Sequence, residues 1–399
     1  MIVAVGGYDR PDDKTHFYEV KVGKVFERDV VPHRSGYYLN INGDGGEALR
    51  RALPADLFDL YRATSRTTPE RSGSFVLDDQ LRELSFQPHL GPENEGPDRH
   101  TGVNRRTLRQ ILSARLGDAY HAGSAVESYE EDTDGVTVRL SNGDTARGDI
   151  LVGADGITSV VRGQRLPGVS VIQAGIDGLG VYGRTPLTPT LRETLPTILY
   201  QGVIIAADKR GSRALLAAFQ PRKEIQSAAA ELDPPLDLEP VDDYFMVSCS
   251  VAPNTVVPRS RDWTTETPAL LRESMLRAIE GWHPAVREIV GGIDLESIFV
   301  IPFGRLGPPE PWTPSRVTLI GDAAHAMLPT LGMGANLALR DAGRLTEQLR
   351  RAATGVLRVV EAIGIAEGEM RAYAHPFMRA TMNHDHSFGG GALETIAPA

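Results

Sequence analysis

Between Val317 and Leu349 the chain reads VTLIGDAAHAMLPTLGMGANLALRDAGRLTEQL. Within it, Gly321, Asp322, Pro329, Gly332, Gly334, Ala335 and Asn336 are spaced as a carboxylate, a glycine-rich loop and the start of a helix. Glycines let a flat or phosphorylated ligand come close to the backbone. A helix start offers unpaired N–H groups and partial positive charge to an anion. The chemistry within reach of such a set is the holding of a planar, phosphorylated cofactor.

The flanking residues predict the elements that would position this set. Val317–Ile320 is a short apolar run of the kind that forms a buried parallel strand. Gly321–Asp322 would then stand at its C-terminal tip, where open α/β sheets bind ligands. Beyond the loop, Ala335, Ala338, Ala342, Leu345 and Leu349 recur at helical spacing, with Arg340, Arg344, Glu347 and Arg351 off that stripe. Further upstream, Asn104 is placed to cap a helix running through Leu116, with Leu108, Ile111, Leu112 and Leu116 as its buried stripe. Val136–Leu140 alternates, Asn142–Gly143 is a hairpin turn signal, and Ile150–Val152 reads as a strand leading into GADGITSVVR, Gly153–Arg162. Ile198–Ala207, Arg213–Phe219 and Tyr244–Val251 read as strands of an antiparallel sheet, and Thr267–Pro268 opens a helix. Tyr182, Tyr200, Phe219, Phe245 and Met246 could line a pocket, although each suits a core equally well. A second late helix is expected over about 356–382, its middle weakened by Gly364 and Gly368. His375, His384 and His386 read as part of a polar tail, and no metal ligand set is expected.

Composition narrows the function classes. The chain has 399 residues, a formal net charge of −10 and a hydrophobic fraction of 41%, enough for a sizeable core. No basic stripe points to nucleic acid, no apolar run is long enough to span a bilayer, and no secretion signal is evident. The single cysteine, Cys249, sits in the strand-like run YFMVSCSV and reads as a buried thiol in a reducing compartment. These features predict a cytoplasmic protein, monomer or homodimer, acting on a small molecule.

The run GDAAHAMLPTLGMGANLALRDA resembles the second flavin motif of the single-component FAD-dependent aromatic hydroxylases, the para-hydroxybenzoate hydroxylase fold. That resemblance implies an α/β fold: a Rossmann-like FAD-binding domain of the GR2 type, an inserted, mostly antiparallel β-sheet substrate domain, and C-terminal helices. The implied division is residues 1–164 and 301–399 for the FAD-binding domain and 165–300 for the substrate domain. It also implies that Asp322, with Gly321, accepts hydrogen bonds from the ribityl chain, and that Pro329, Gly332, Gly334, Ala335 and Asn336 lie along the isoalloxazine ring. KVFERD is similar to the family's second strand, so Glu27 and the adjacent Arg28 would meet the adenosine ribose. VNRRTLRQIL is similar to the helix whose first arginine, here Arg105, reaches the pyrophosphate, while Arg106 and Arg109 would be solvated. GADG matches the family's DG motif through Asp155, Gly156 and Arg162. RSGYYLNINGDGG offers Arg34 and Asn40 beside the flavin, or else is a plain glycine-rich loop.

The implied activity is monooxygenation of an aromatic or polyketide-like substrate with NADPH or NADH and O2, through a flavin C4a-hydroperoxide. One feature of the family is missing. After Met1–Val5 the family would place GxGxxG, and this chain continues Gly6–Gly7 and then YDRPDDKTHFYEVKVG. The spacing of about 20 residues to the acidic strand end survives without the glycines. Three readings stay open: a segment that is not the native translation, a fold that has lost tight flavin binding, or compensation by other residues. The alternative function is therefore a hydroxylase-fold cyclase, isomerase or small-molecule binding protein without redox chemistry.

Overall fold

The computed structural model describes residues 2–5, 23–30, 37–95, 99–173, 179–250 and 266–382. Gly6, Gly7, Arg34, His384 and His386 lie outside the described residues. The molecule is α/β, built from a cofactor sheet and a larger sheet that faces it.

The cofactor sheet has five strands in the order β19 (Val317–Leu319), β11 (Ile150–Gly153), β1 (Ile2–Val5), β2 (Lys24–Glu27) and β7 (Tyr120–Ala122). β19 runs parallel to β11, and β2 parallel to β7, as a Rossmann-like sheet requires. β11 and β19 are buried at every position, which is why they read as unbroken apolar runs. β1 occupies the centre of this sheet but runs antiparallel to both neighbours. Ile2 sits beside Gly153 and Phe26, whereas Val5 sits beside Ile150. β1 therefore carries the chain to the edge opposite the strand tips Glu27, Gly153 and Gly321. The three-stranded sheet β8 (Val126–Glu131), β9 (Val136–Leu140) and β10 (Thr145–Gly148) covers one flank.

The larger sheet has seven strands, in the order β17 (Phe299–Pro302), β13 (Leu179–Pro186), β16 (Tyr244–Ser250), β15 (Arg213–Phe219), β14 (Val203–Ala207), β4 (Gly73–Asp78) and β5 (Glu83–Pro88). All pairs are antiparallel except β14 with β4. The sheet thus recruits two strands from well before residue 165. Alternation in β4, with Phe75 and Leu77 fully buried, is the pattern that places it there. The expected strand over 198–207 begins only at Val203, because Thr197–Tyr200 forms a 3-10 turn. One face of the sheet packs Phe75, Ile204, Leu216, Phe245 and Val247 against α5 (Pro189–Thr194), α7 (Pro268–Ala278) and α8 (Pro284–Gly291). Cys249 belongs to that core, and burial pushes its thiol pKa up to about 12.

Two short pairings, β3 (Tyr38–Ile41) with β6 (Thr101–Asn104) and β12 (Ile172–Gln173) with β18 (Gly304–Arg305), tie the sheets together. α1 (Gly43–Ala52), α2 (Ala55–Ala63) and α6 (Ile225–Ala230) pack around β3 and β15. Asn104 caps α3 (Arg105–Ser113) by accepting from the Arg106 and Thr107 amides. The helix stops short of Leu116, and Leu112 is exposed at 38% rather than buried. α11 (Val359–Met382) is continuous through Gly364, where a Cβ would stand 2.8 Å from Pro314. His375 lies within this helix rather than in a tail. Among the described residues no helix is long and apolar enough to cross a membrane.

Candidate active site

The Ile320 amide continues the β19–β11 ladder by donating to Gly153 O at 3.0 Å. The chain then turns at Gly321, whose φ of +60° is a conformation L side chains rarely adopt. A Cβ there would also stand 3.1 Å from Ala338 Cβ. That turn delivers Asp322 to the start of the short helix α9 (Asp322–His325). Burial raises the Asp322 pKa; His325 and Arg105 pull it down, and Asp341 pushes it up. Yet the side chain is solvent-exposed. A carboxylate surrounded by protein and still reached by solvent lines an interior hollow.

The loop that follows makes a 3-10 turn over Pro329–Leu331 and reverses at Gly332, φ +64°. α10 (Gly334–Ala353) then begins without a side-chain cap. Its first turn therefore keeps unpaired N–H groups and the positive end of a long helix. A Cβ on Gly334 would stand 3.8 Å from Asp322 Oδ1, so the helix start and the carboxylate share one wall. Ala335 sits in that first turn.

The Asn336 side chain braces the loop from within. Its side chain is 1% exposed and spent on the protein itself. Nδ2 donates to Asn40 O at 2.8 Å, and Oδ1 accepts from the Asn42 amide at 2.9 Å. Asn336 thus pins β3 to the loop, and Asn40 contributes a backbone carbonyl to that tie.

The buried side of α10 is not the alanine stripe that the spacing suggested. Ala342 is exposed, and the inward positions are Asn336, Leu337, Asp341, Leu345 and Gln348. Asp341, missed in the sequence because it is polar and off the stripe, is the hub. Its Oδ2 meets His325 Nε2 at 2.6 Å and accepts the Gly321 amide at 2.7 Å, while Oδ1 accepts from Tyr373 Oη at 2.6 Å. Burial would push the His325 imidazole down, but Asp341 and Asp322 outweigh it and the net shift is upward. The Arg340 guanidinium covers the Tyr373 ring at 4.1 Å and pairs with Asp44 at 3.0 Å.

At the other end of the hollow, Glu27 is buried at the tip of β2. It accepts from the Asp29 amide at 3.1 Å and from Arg109 Nη2 at 2.6 Å. Arg109 is therefore an ion-pair partner rather than a solvated charge, and Arg106 pairs with Glu239. The Arg28 side chain is 71% exposed and pairs with Asp29 at 3.2 Å. Arg105 is exposed to the hollow. Burial and Arg109 lower its pKa, and Asp322 and Glu27 oppose them. Those mutual effects bring Glu27, Arg105 and Asp322 into one electrostatic site.

The DG turn serves this site from behind. Asp155 accepts from Ser159 Oγ at 2.5 Å and from the Val160 amide at 2.8 Å, so it fastens the start of α4 (Val160–Arg165). Gly156, φ +76°, makes the turn possible. Arg162 is buried and donates to Ala323 O at 3.1 Å and Ile157 O at 2.6 Å, clamping the DG turn to α9.

An open carboxylate, glycine backbone and an uncapped helix start fit the flavin and ribityl end of FAD. Glu27 and Arg105 fit the ribose and phosphate end by donor type. β1 itself runs away from that end, with Val5 beside Ile150 at the start of β11.

The family described as FAD binding domain matches residues 309–358, the stretch that carries the loop and α10. A Photorhabdus luminescens protein assigned as an FAD-containing monooxygenase superposes with a TM-score of 0.74 at 27% identity, covering 90% of this chain and 91% of its own. These two matches support the resemblance to the FAD-dependent aromatic hydroxylases. Another hydroxylase-fold neighbour, Klebsiella pneumoniae HpxO with FAD and uric acid, has a TM-score of 0.63 at 20% identity, covering 91% of this chain and 83% of its own, and shares the fold. The dual O-methyltransferase/FAD-dependent monooxygenase elcB of Phaeosphaeria nodorum is 28% identical over 80% of this chain and 37% of its own length. The chain spans about two fifths of the length of the first curated relatives it matches.

Proposed function

We propose that this chain is an FAD-dependent monooxygenase that hydroxylates an aromatic or polyketide-like small molecule, using NADPH or NADH and O2. The observation that carries the reading is Asp322. A carboxylate at a buried strand tip is left open to a hollow, beside an uncapped helix start and in electrostatic reach of Arg105. Bound FAD, once reduced by the nicotinamide, would supply the activation of O2 that hydroxylation needs. The chain's own part is to bind, orient and exclude water. Asp322 would accept from ribityl hydroxyls, Arg105 would pair with phosphate, and Glu27 would hold a sugar hydroxyl. The first turn of α10 would stabilise negative charge on a reduced flavin ring.

The facing wall is apolar. Ile205, Phe303 and Leu328 pack with Tyr182, Leu215 and Ile301, so the seven-stranded sheet meets the residue just before Pro329. Tyr182 stacks on Phe299 at 5.5 Å. Burial pushes its phenol up to about 12, partly opposed by a hydrogen bond with Ser248. Near neutral pH Tyr182 is thus a hydrogen-bonding phenol and not a base. Such a wall suits a flat apolar substrate and keeps water from the reacting atoms.

The missing first-turn glycines and the reversed β1 favour one second reading: a hydroxylase-fold protein that has lost tight flavin binding and acts without redox chemistry, as a cyclase, isomerase or binding protein. One experiment separates the two. Purified protein incubated with FAD and desalted should keep the visible flavin spectrum and bleach on addition of NADPH or NADH. Asp322→Ala should lose the flavin while unfolding at the same denaturant concentration. A colourless wild-type protein that cannot be reconstituted would shift the assignment to the second reading.

A further inference from the structure

Arg66, His89 and His100 form a polar cluster outside the residues assigned above to FAD. Arg66 is 6% exposed. Its guanidinium donates to Tyr38 Oη at 3.3 Å and to Tyr200 O, both neutral acceptors. Among the described residues no carboxylate lies within ion-pair distance of it. A buried guanidinium without a counter-ion is costly, and natural proteins pair such charges or use them.

Two histidines stand beside it. The Arg66 amide donates to Gly102 O at 2.7 Å and Thr68 Oγ1 to His100 O at 3.0 Å, so residues 66–68 run alongside residues 100–102. His100 is 7% exposed. Its ring N–H is taken by the backbone at Leu90–Gly91, while Nε2 is buried and has no partner. The His89 ring lies 5.1 Å from that of His100. His89 follows the end of β5, and the next carbonyl, Leu90 O, accepts from Asn42 Nδ2 at 3.1 Å. Asn42 in turn is held by Asn336, so the cluster sits where the large sheet meets the cofactor loop. His89 stays partly accessible, and burial with His100 and Arg66 presses its pKa down to about 3. Burial is the main reason that His89 is neutral, and the Arg66 guanidinium beside it is the charge left without a counter-ion.

We propose that Arg66, His89 and His100 form an acid-recognition subsite, and that the substrate presents an ionisable oxygen acid to it. Arg66 meets the anionic oxygen, and the neutral imidazoles take part through their free ring nitrogens. The inference rests on the monooxygenase reading only in taking the hollow as the substrate site. Carboxylic acids and acidic phenols share this chemistry, and the test tells them apart.

Binding is measured by calorimetry for two matched pairs, benzoate with benzamide and 4-nitrophenol with 4-nitroanisole. At least one acid should bind about tenfold or more tightly than its neutral partner, as loss of a charge-assisted hydrogen bond implies. Arg66→Gln should erase that preference and Arg66→Lys should restore part of it. His89→Phe gives the same readout should Arg66→Gln fail to fold. The pair that shows the preference identifies the acid. Equal binding within both pairs, absence of binding by both acids, or a preference that survives Arg66→Gln and His89→Phe would overturn the subsite. Calorimetry works on flavin-loaded and flavin-free protein alike. A wild type that holds no flavin but still prefers the acid therefore defeats the monooxygenase reading and leaves the subsite standing.

Discussion

The two ends of the proposed cofactor cradle are built on different physical terms. At the flavin end, one buried carboxylate, Asp341, ties together the GD turn, His325 and Tyr373, and Arg162 clamps the DG turn to α9. At the dinucleotide end, the groups are charged side chains on a partly exposed surface: the Glu27–Arg109 pair has side chains 11% and 29% exposed. The strand that should bring a glycine turn there runs the opposite way. Half of the cradle is thus prebuilt by closed hydrogen bonds, and the other half depends on long side chains finding phosphate. The flavin end should hold its shape without ligand, and the dinucleotide end should set affinity.

The largest expected effect tests the first half of that contrast. Asp341→Ala leaves His325 buried without its partner and frees the Gly321 amide. Breaking a buried pair of this kind costs about 3–5 kcal/mol. Glu27→Gln at the other end should cost less than this, because the Arg109 side chain that loses its partner is 29% exposed and can be solvated. Urea unfolding of the flavin-free proteins measures both. Similar losses for the two variants would break the contrast.

The next effect is on affinity. Arg105→Ala should weaken FAD binding by about 1.5–3 kcal/mol, the worth of a hydrogen bond to a charged group. The urea midpoint should move less than in Asp341→Ala, since Arg105 is exposed. Titration of desalted protein with FAD, read by quenching of flavin fluorescence, gives the number. An unchanged affinity would mean that the phosphate end contributes nothing, and that the flavin end alone holds whatever is bound.

The contrast also explains what the sequence disclosed. The GD tip, the glycine loop and the Asn104 cap were legible because each depends on local backbone geometry, which residue type dictates over a few positions. The α10 burial pattern was not, because the helix buries polar braces, Asn336 and Asp341, whose partners lie far along the chain. Hydrophobic periodicity points to the alanines instead, and Ala342 is in fact exposed. The same holds for Arg109 and Arg66, whose settings come from tertiary contacts with Glu27 and with Tyr38 and Tyr200. Asp155 and Arg162 were found as motif residues, but their partners show them fastening the turn, a distinction that spacing does not carry. The seven-stranded sheet was read from its later strands alone, since β4 and β5 lie far upstream of β13.

The smallest effect is in pH. The His325 pKa is raised above its ordinary 6.5 by Asp341 and Asp322, against burial. A histidine whose folded pKa exceeds its unfolded value binds more protons in the folded state. Its contribution to stability is fully present below about pH 6.5 and is lost as the pH rises through the raised value. Asp322, also raised, acts in the same sense but in the acid range, starting from its ordinary 3.8. The two separate on a series of urea midpoints taken from mildly acid to mildly alkaline buffer. Wild-type stability should decline across neutrality, and His325→Gln should flatten that decline while moving the Asp322 limb to higher pH, since His325 no longer pulls that carboxyl down. If the neutral limb keeps its slope in His325→Gln, the ion pair with Asp341 is not what stiffens the flavin end. The clamp by Arg162 would then have to account for it, and Arg162→Met, rather than Asp341→Ala, would become the more damaging change.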